Sequence, residues 1–235
     1  MILRRLSAVL TAIFSIQTAI AQAPPEVAVT VRAVLHDPTK PMSEFFAADQ
    51  NGVVNRINLI QEGLSEARQI MPVNGFLVLY NTASVDPKKP EGKIAATVRV
   101  PAGLRKAIAV IVPGPADKQP PFRMVLIDDS PDVFKRGESR AVSLVPVETA
   151  LQAGEHKLQV ESGKIVSVPP VKKVNEFNMA QANFYYKEGD NWVAFTERQL
   201  QFLDDFRRIF LIHVTPGSTQ PFVSTVLDTA PHVPR

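Results

Sequence analysis

The sequence predicts an all-β protein: an antiparallel β-sandwich, in two immunoglobulin-like lobes joined by a Pro-rich linker. Three observations predict it. Beyond Glu26, apolar residues recur mostly at period two, the spacing that sends alternate side chains to one face of a sheet. Turn residues interrupt these runs roughly every 8–15 residues, the rhythm of sandwiches and barrels. The 235 residues include 20 prolines against 11 glycines, a composition unfriendly to long helices.

The chain opens with Arg4 and Arg5, then an apolar run from Leu6 to Ile16 broken only by Ser7, Thr11 and Ser15. Ala19-Ile20-Ala21 follows, the small-x-small pattern that signal peptidase reads. Residues 1–21 are therefore expected to be a signal peptide cut after Ala21; a cut after Ala23 would put Pro24 beside the scissile bond. As a helix the apolar run spans about 17 Å, short of the ~30 Å hydrocarbon core, so a membrane anchor is disfavoured. No later stretch is long and apolar enough to predict a membrane span. The expected location is periplasmic or secreted.

Residues 24–113 read as the first lobe. Val27–Leu35 gives its first strand, and Val53–Ile60 alternates Ile57 and Leu59 with Arg56 and Asn58. Phe76–Tyr80, Ile94–Val100, Ala107–Val112 and Phe122–Ile127 are nearly continuous apolar runs, as strands covered on both faces require. Between the last two, Pro113, Pro115, Pro120 and Pro121 mark 114–121 as a linker, with the second lobe at 122–235. There the pattern continues through 141–145, 157–160, 165–168, 177–186, 192–195, 209–214 and 222–227. Gly, Asn or Asp stand in the intervening turns. Helix is confined to one turn capped by Ser130, through Phe134, and a short segment from the Thr196/Gln199 capping box to Phe206. No internal repeat is visible.

The stretch Phe122–Val168, with Leu126-Ile127-Asp128-Asp129-Ser130-Pro131, Gly137, Ser143-Leu144-Val145 and Ser162-Gly163-Lys164, resembles one half of an uncharacterised family of exported bacterial β-sandwich proteins. Leu77-Val78-Leu79-Tyr80 and Val100-Pro101-Ala102-Gly103-Leu104 fit its first half. The sequence departs from that pattern at Pro146-Val147-Glu148-Thr149, where the family has an Asn-Leu-Ser type of turn. The resemblance implies envelope location and fold, and no reaction.

Charge and chemistry exclude more than they assign. Of 26 Lys and Arg, Arg4 and Arg5 leave with the signal, so 24 face 23 Asp and Glu, a net of +1. That field does not suit nucleic acid, and none is expected as a partner. Without cysteine there is no disulfide, thiolate nucleophile, iron–sulfur cluster or zinc site built on sulfur. His36, His156, His213 and His232 lack metal-ligand spacing, and His213 ends an apolar strand as a core or strand-end histidine. Neither a Gly-x-Ser-x-Gly elbow nor a nucleotide-binding loop occurs. The cluster Asp128-Asp129-Ser130-Pro131-Asp132 fails calcium-loop spacing and suits capping. No catalytic, cofactor or metal residue is assigned; Glu62, Glu66, Glu176 and Glu188 are carboxylates without a favoured pairing.

The expected function is a non-catalytic exported protein that binds or scaffolds another envelope protein, by strand addition to a sheet edge. Phe45 and Phe46 are candidates for its apolar surface. A pilus chaperone, also two sandwiches, is a variant; that family anchors a pilin carboxylate in its interlobe cleft, and Arg32 and Arg99 are the candidate anchors here. Two alternatives stand beside it. One is a carbohydrate- or cell-wall-binding module using Trp192, Tyr185 and Tyr186 as an aromatic platform. The other is a glycan hydrolase with an unrecognised carboxylate pair.

Overall fold

Period-two patterning is realised throughout: the computed structural model, which describes residues 27–36, 44–60, 63–115, 117–214 and 218–229, contains sixteen strands and, among these residues, no helix. The first eight strands are β1 (Val29–Leu35), β2 (Phe45–Ala48), β3 (Val54–Ile57), β4 (Arg68–Ile70), β5 (Phe76–Tyr80), β6 (Ile94–Arg99), β7 (Lys106–Pro113) and β8 (Phe122–Asp128). They form two sheets, ordered β4-β1-β7-β8 and β3-β2-β5-β6. The second eight are β9 (Ser139–Ser143), β10 (Thr149–Ala153), β11 (His156–Val160), β12 (Ile165–Val168), β13 (Met179–Glu188), β14 (Asn191–Gln201), β15 (Phe206–Val214) and β16 (Pro221–Thr229). Their sheets are ordered β12-β9-β15-β16 and β11-β10-β13-β14. The expected signal peptide and its cleavage site lie outside the described residues.

Three cores hold these sheets as four stacked layers. Val29, Val31, Ala107, Ala109 and Ile111 meet Phe45, Leu77 and Leu79 inside the first lobe. Phe210, Ile212 and Val223 meet Leu151, Ala182 and Phe184 inside the second. Between the lobes, Val34, Ile108, Val110 and Ile127 meet Val142, Ile209, Leu211 and Val226. Strands β7 and β15 thus bury both faces, which is why their central runs, 107–112 and 209–212, are continuously apolar. Each such fully buried aliphatic side chain contributes about 1.5–3 kcal/mol.

Two expectations are corrected. The Pro-rich stretch is a hairpin connection rather than an interlobe linker: β8 pairs antiparallel with β7 down to Pro113 opposite Phe122, and the Gly114 amide donates to the Pro121 carbonyl at 2.8 Å. The chain crosses between lobes after Asp128, through a single turn in which the Phe134 amide donates to the Ser130 carbonyl. The second correction falls on 196–206, read as a short helix. Strand β14 runs on to Gln201, with Arg198 opposite buried Ala182, and Glu197 and Gln199 opposite Asn183 and Gln181 on the other face.

The lobes also repeat each other. Adding eight to each strand number converts the sheet orders of the first lobe into those of the second. Both contain a parallel central pair, β1 with β7 and β9 with β15. The final hairpins match residue for residue at an offset of 100: Ala107 opposite Asp128 becomes Arg207 opposite Asp228, and Pro113 opposite Phe122 becomes His213 opposite Phe222. A bulge sits at the same place in each lobe, after Leu79 in one and after Phe184 in the other.

Candidate functional site

The repeat identifies what is particular to the second lobe. In the first, Phe46 pairs with Arg56 on one side and Tyr80 on the other. The equivalent row in the second is Gln159, Ala150, Tyr185 and Ala194. Alanine therefore stands where the first lobe has phenylalanine. Tyr80 is 1% exposed, whereas its counterpart Tyr185 is only partly buried. The connections differ too: 81–93 joins β5 to β6, while only Gly189 and Asp190 join β13 to β14. That tight hairpin lengthens both strands and brings Trp192 opposite Lys187, diagonal to Tyr185.

The result is an open groove of about 630 Å³ on the outer face of the β11-β10-β13-β14 sheet, lined by Ala150, Gln152, Lys157, Gln159, Tyr185 and Trp192 among others. Ala150 floors it, the amides of Gln152 and Gln159 edge it, and the two aromatic rings form one end. Trp192 is 41% exposed. At the other end, Ala153 and His156 flank the two-residue β10–β11 turn, where Gly154 has φ +53°. A Cβ there would stand 2.4 Å from Val171 Cγ1, so glycine is required twice over. Glu155 of the same turn accepts the amides of Lys172 and Lys173 at 2.8 and 3.1 Å. Those amides, the Lys172 one foremost, lower its carboxyl to about 2.

The other aromatic candidates lie elsewhere. Tyr186 points away from the groove and packs edge-on against Phe195. Phe45 is buried in the first lobe's core, T-stacked on Phe122 at 5.0 Å, and only Phe46 is partly exposed. The structure thus brings Trp192 and Tyr185 together and separates Tyr186, Phe45 and Phe46 from them. Ala150, Gln152, Lys157 and Gln159 were not singled out from sequence, because none of these residue types signals a site by itself.

The candidate anchor Arg32 is committed to a different task. At the interlobe seam its Nε and Nη2 donate to Asp129 at 2.9 and 2.8 Å, and its Nη1 and Nη2 to Asp228 at 2.8 and 3.0 Å. Arg207 donates to the same two carboxylates and lies over the Phe134 ring at 4.5 Å. Burial opposes the charge of Asp228, but the hydrogen bonds from Arg32 and Arg207 outweigh it and hold the carboxyl below its usual range. Burial likewise opposes the charge of Arg32, and the two carboxylates overcome it. Arg99 ends β6 in the outer sheet of the first lobe, exposed and away from this seam.

The far end of the seam holds His36 and His213, ring centroids 4.0 Å apart. His213 Nε2 hydrogen-bonds with Ser224 Oγ at 3.0 Å. Burial, reinforced by the charge of His36, lowers its pKa to about 4. Among the described residues no group of three His, Asp or Glu could hold a metal ion, and no helix is long and apolar enough to cross a membrane. In the acidic cluster Asp129 serves the seam and Asp128 Oδ1 accepts the Ser130 amide. Glu66 pairs with Arg68 in the first lobe. Glu176 precedes β13 and Glu188 ends it, a strand about 30 Å long. Glu62 and His232 lie outside the described residues. No protein-family model matches the chain, and no curated protein matches it in sequence.

Proposed function

We propose that this protein is a non-catalytic envelope module that binds a glycan across the outer sheet of its second lobe. The observation that carries the reading is Ala150 in the place of Phe46: it opens a trough beside Tyr185 and Trp192 that the first lobe fills. Pyranose rings present flat CH faces, which stack on aromatic rings, and neighbouring hydroxyls, which both donate to and accept from planar amides. The groove supplies both kinds of partner, with few charges to desolvate. The export pattern of residues 1–21 supports a place where such polymers are met.

Strand addition has less to support it. Edge strands β3 and β4 are only four and three residues long. The edge of β14 is bulged and carries Glu197 and Arg198, both of which discourage pairing. Arg198 Nη2 also donates to the Val223 carbonyl of β16 at 3.0 Å.

The test is retention of the purified chain by insoluble chitin, cellulose and peptidoglycan, and by immobilised polygalacturonate. The wild type is expected to be retained by at least one of them, and Trp192→Ala and Ala150→Phe to flow through. Passage of the wild type through all four, or equal retention of both variants, overturns the reading.

A further inference from the structure

We infer that the glycan carries carboxylate groups, one of which is held by Lys157; this rests on the glycan reading above and specifies its ligand. Among the described residues, Lys157 is the one charged residue lining the groove, and no carboxylate lines it. The other lysine of that face, Lys187, is neutralised by Glu148 at 3.1 Å. Lys157 is exposed and makes no ion pair among the described residues.

The remaining acids nearby form no ion pair with it among the described residues. Glu155 spends both oxygens on the backbone amides of Lys172 and Lys173. Glu197 occupies the row Lys157, Gln152, Asn183, Glu197, at the opposite edge of the sheet. Three strand spacings separate it from Lys157, about 14 Å, beyond the ~8 Å reach of a charge in physiological salt.

A ligand filling this groove therefore meets aromatic faces at one end and an ammonium without an ion-pair partner at the other. From Trp192 through Tyr185, Ala150 and Gln152 to Lys157 the diagonal is about 20 Å, the length of a short oligosaccharide. Neutral sugar would leave the ammonium facing water, while a uronic acid unit at that end would gain a charge-assisted hydrogen bond.

The experiment compares an oligogalacturonate with its fully methyl-esterified form, the same backbone without charge, and with chitohexaose. Calorimetry or fluorescence titration reads the affinity. The oligogalacturonate is expected to bind at least about tenfold more tightly than the ester, the worth of one charged hydrogen bond. Lys157→Gln is expected to erase that difference and Lys157→Arg to keep it, both with wild-type melting curves. Equal binding of acid and ester, or of chitohexaose alone, overturns the carboxylate inference and leaves the glycan reading intact. Acid binding that survives Ala150→Phe overturns it too, because the site would then lie outside the groove. Binding of no sugar in this set or in the retention test overturns both.

Discussion

Arg32 and Asp228 lie 196 residues apart in the chain and face each other bidentately, Nη1 to Oδ1 at 2.8 Å and Nη2 to Oδ2 at 3.0 Å. One sits on the first lobe's β1 and the other on the second lobe's β16, so their contact joins the two halves of a repeat. Arg207 and Asp129 complete an arrangement of two guanidiniums and two carboxylates over the apolar interlobe core. Alternation explains the placement. On β1 the even positions Arg32 and Val34 turn to the seam, followed by His36; on β15 Arg207, Ile209, Leu211 and His213 do the same. Each strand thus offers an arginine at one end, apolar residues between, and a histidine at the other.

Removing one member leaves buried charge without its partner. Asp228→Ala is expected to cost about 3–5 kcal/mol in urea unfolding, since two guanidiniums would then share Asp129 alone. Arg32→Ala with Asp228→Ala is expected to cost less than the sum of the single changes. Additive losses would show that the pair is not coupled.

The histidine end gives the seam a pH dependence of determined sign. His213 falls from 6.5 to about 4 on folding, so between those values the unfolded chain binds more protons than the folded one. This contribution to stability is full above about pH 6.5 and is lost as pH falls toward 4. Asp228, held below its usual range, adds a further loss at lower pH, as its own folded pKa is passed. Melting temperature against pH should decline across the first window in the wild type and flatten there in His213→Gln; an unchanged slope would contradict the assignment.

Ala150→Phe should be nearly silent in stability. The first lobe accommodates phenylalanine at the same register position, so the melting temperature is expected to stay within about 2 °C. Affinity for any groove ligand should drop by about tenfold or more. Unimpaired binding in this variant would place the site elsewhere.

Adjacent phenylalanines should behave differently. Phe45→Ala empties a position 1% exposed and is expected to cost about 3–5 kcal/mol, while Phe46→Ala, on the outer face, should cost far less. Similar losses on urea titration would indicate a wrong register for β2.

Much of the fold is legible in the sequence because the centres of β7 and β15, 107–112 and 209–212, are apolar on both faces and most turns carry their glycine. What is not legible has physical causes. Strands β2, β4 and β10 are short, and β10 alternates with small residues, Ala150 and Ala153, that weaken the pattern. The segment after Thr196 imitates a capping box because the bulge at Phe195 shifts the alternation there. The repeat is hidden more deeply: between 94–128 and 194–228 only Pro121/Pro221, Phe122/Phe222 and Asp128/Asp228 are identical. Strand register is held by backbone hydrogen bonds, which constrain side chains only in volume and polarity. The site follows the same logic. Trp192 stands out as a residue, but the groove comes from a missing ring at Ala150, which shows only when the two lobes are compared.

Trp192 is the single tryptophan of the chain and stands at the groove's aromatic end, so its emission reports directly on occupancy. The decisive measurement is its fluorescence during titration with chitohexaose, cellohexaose and an oligogalacturonate. A saturable shift with one of them, absent in Ala150→Phe, is the predicted result. Emission that does not change with any of them, or a shift that Ala150→Phe retains, would contradict a glycan-binding groove.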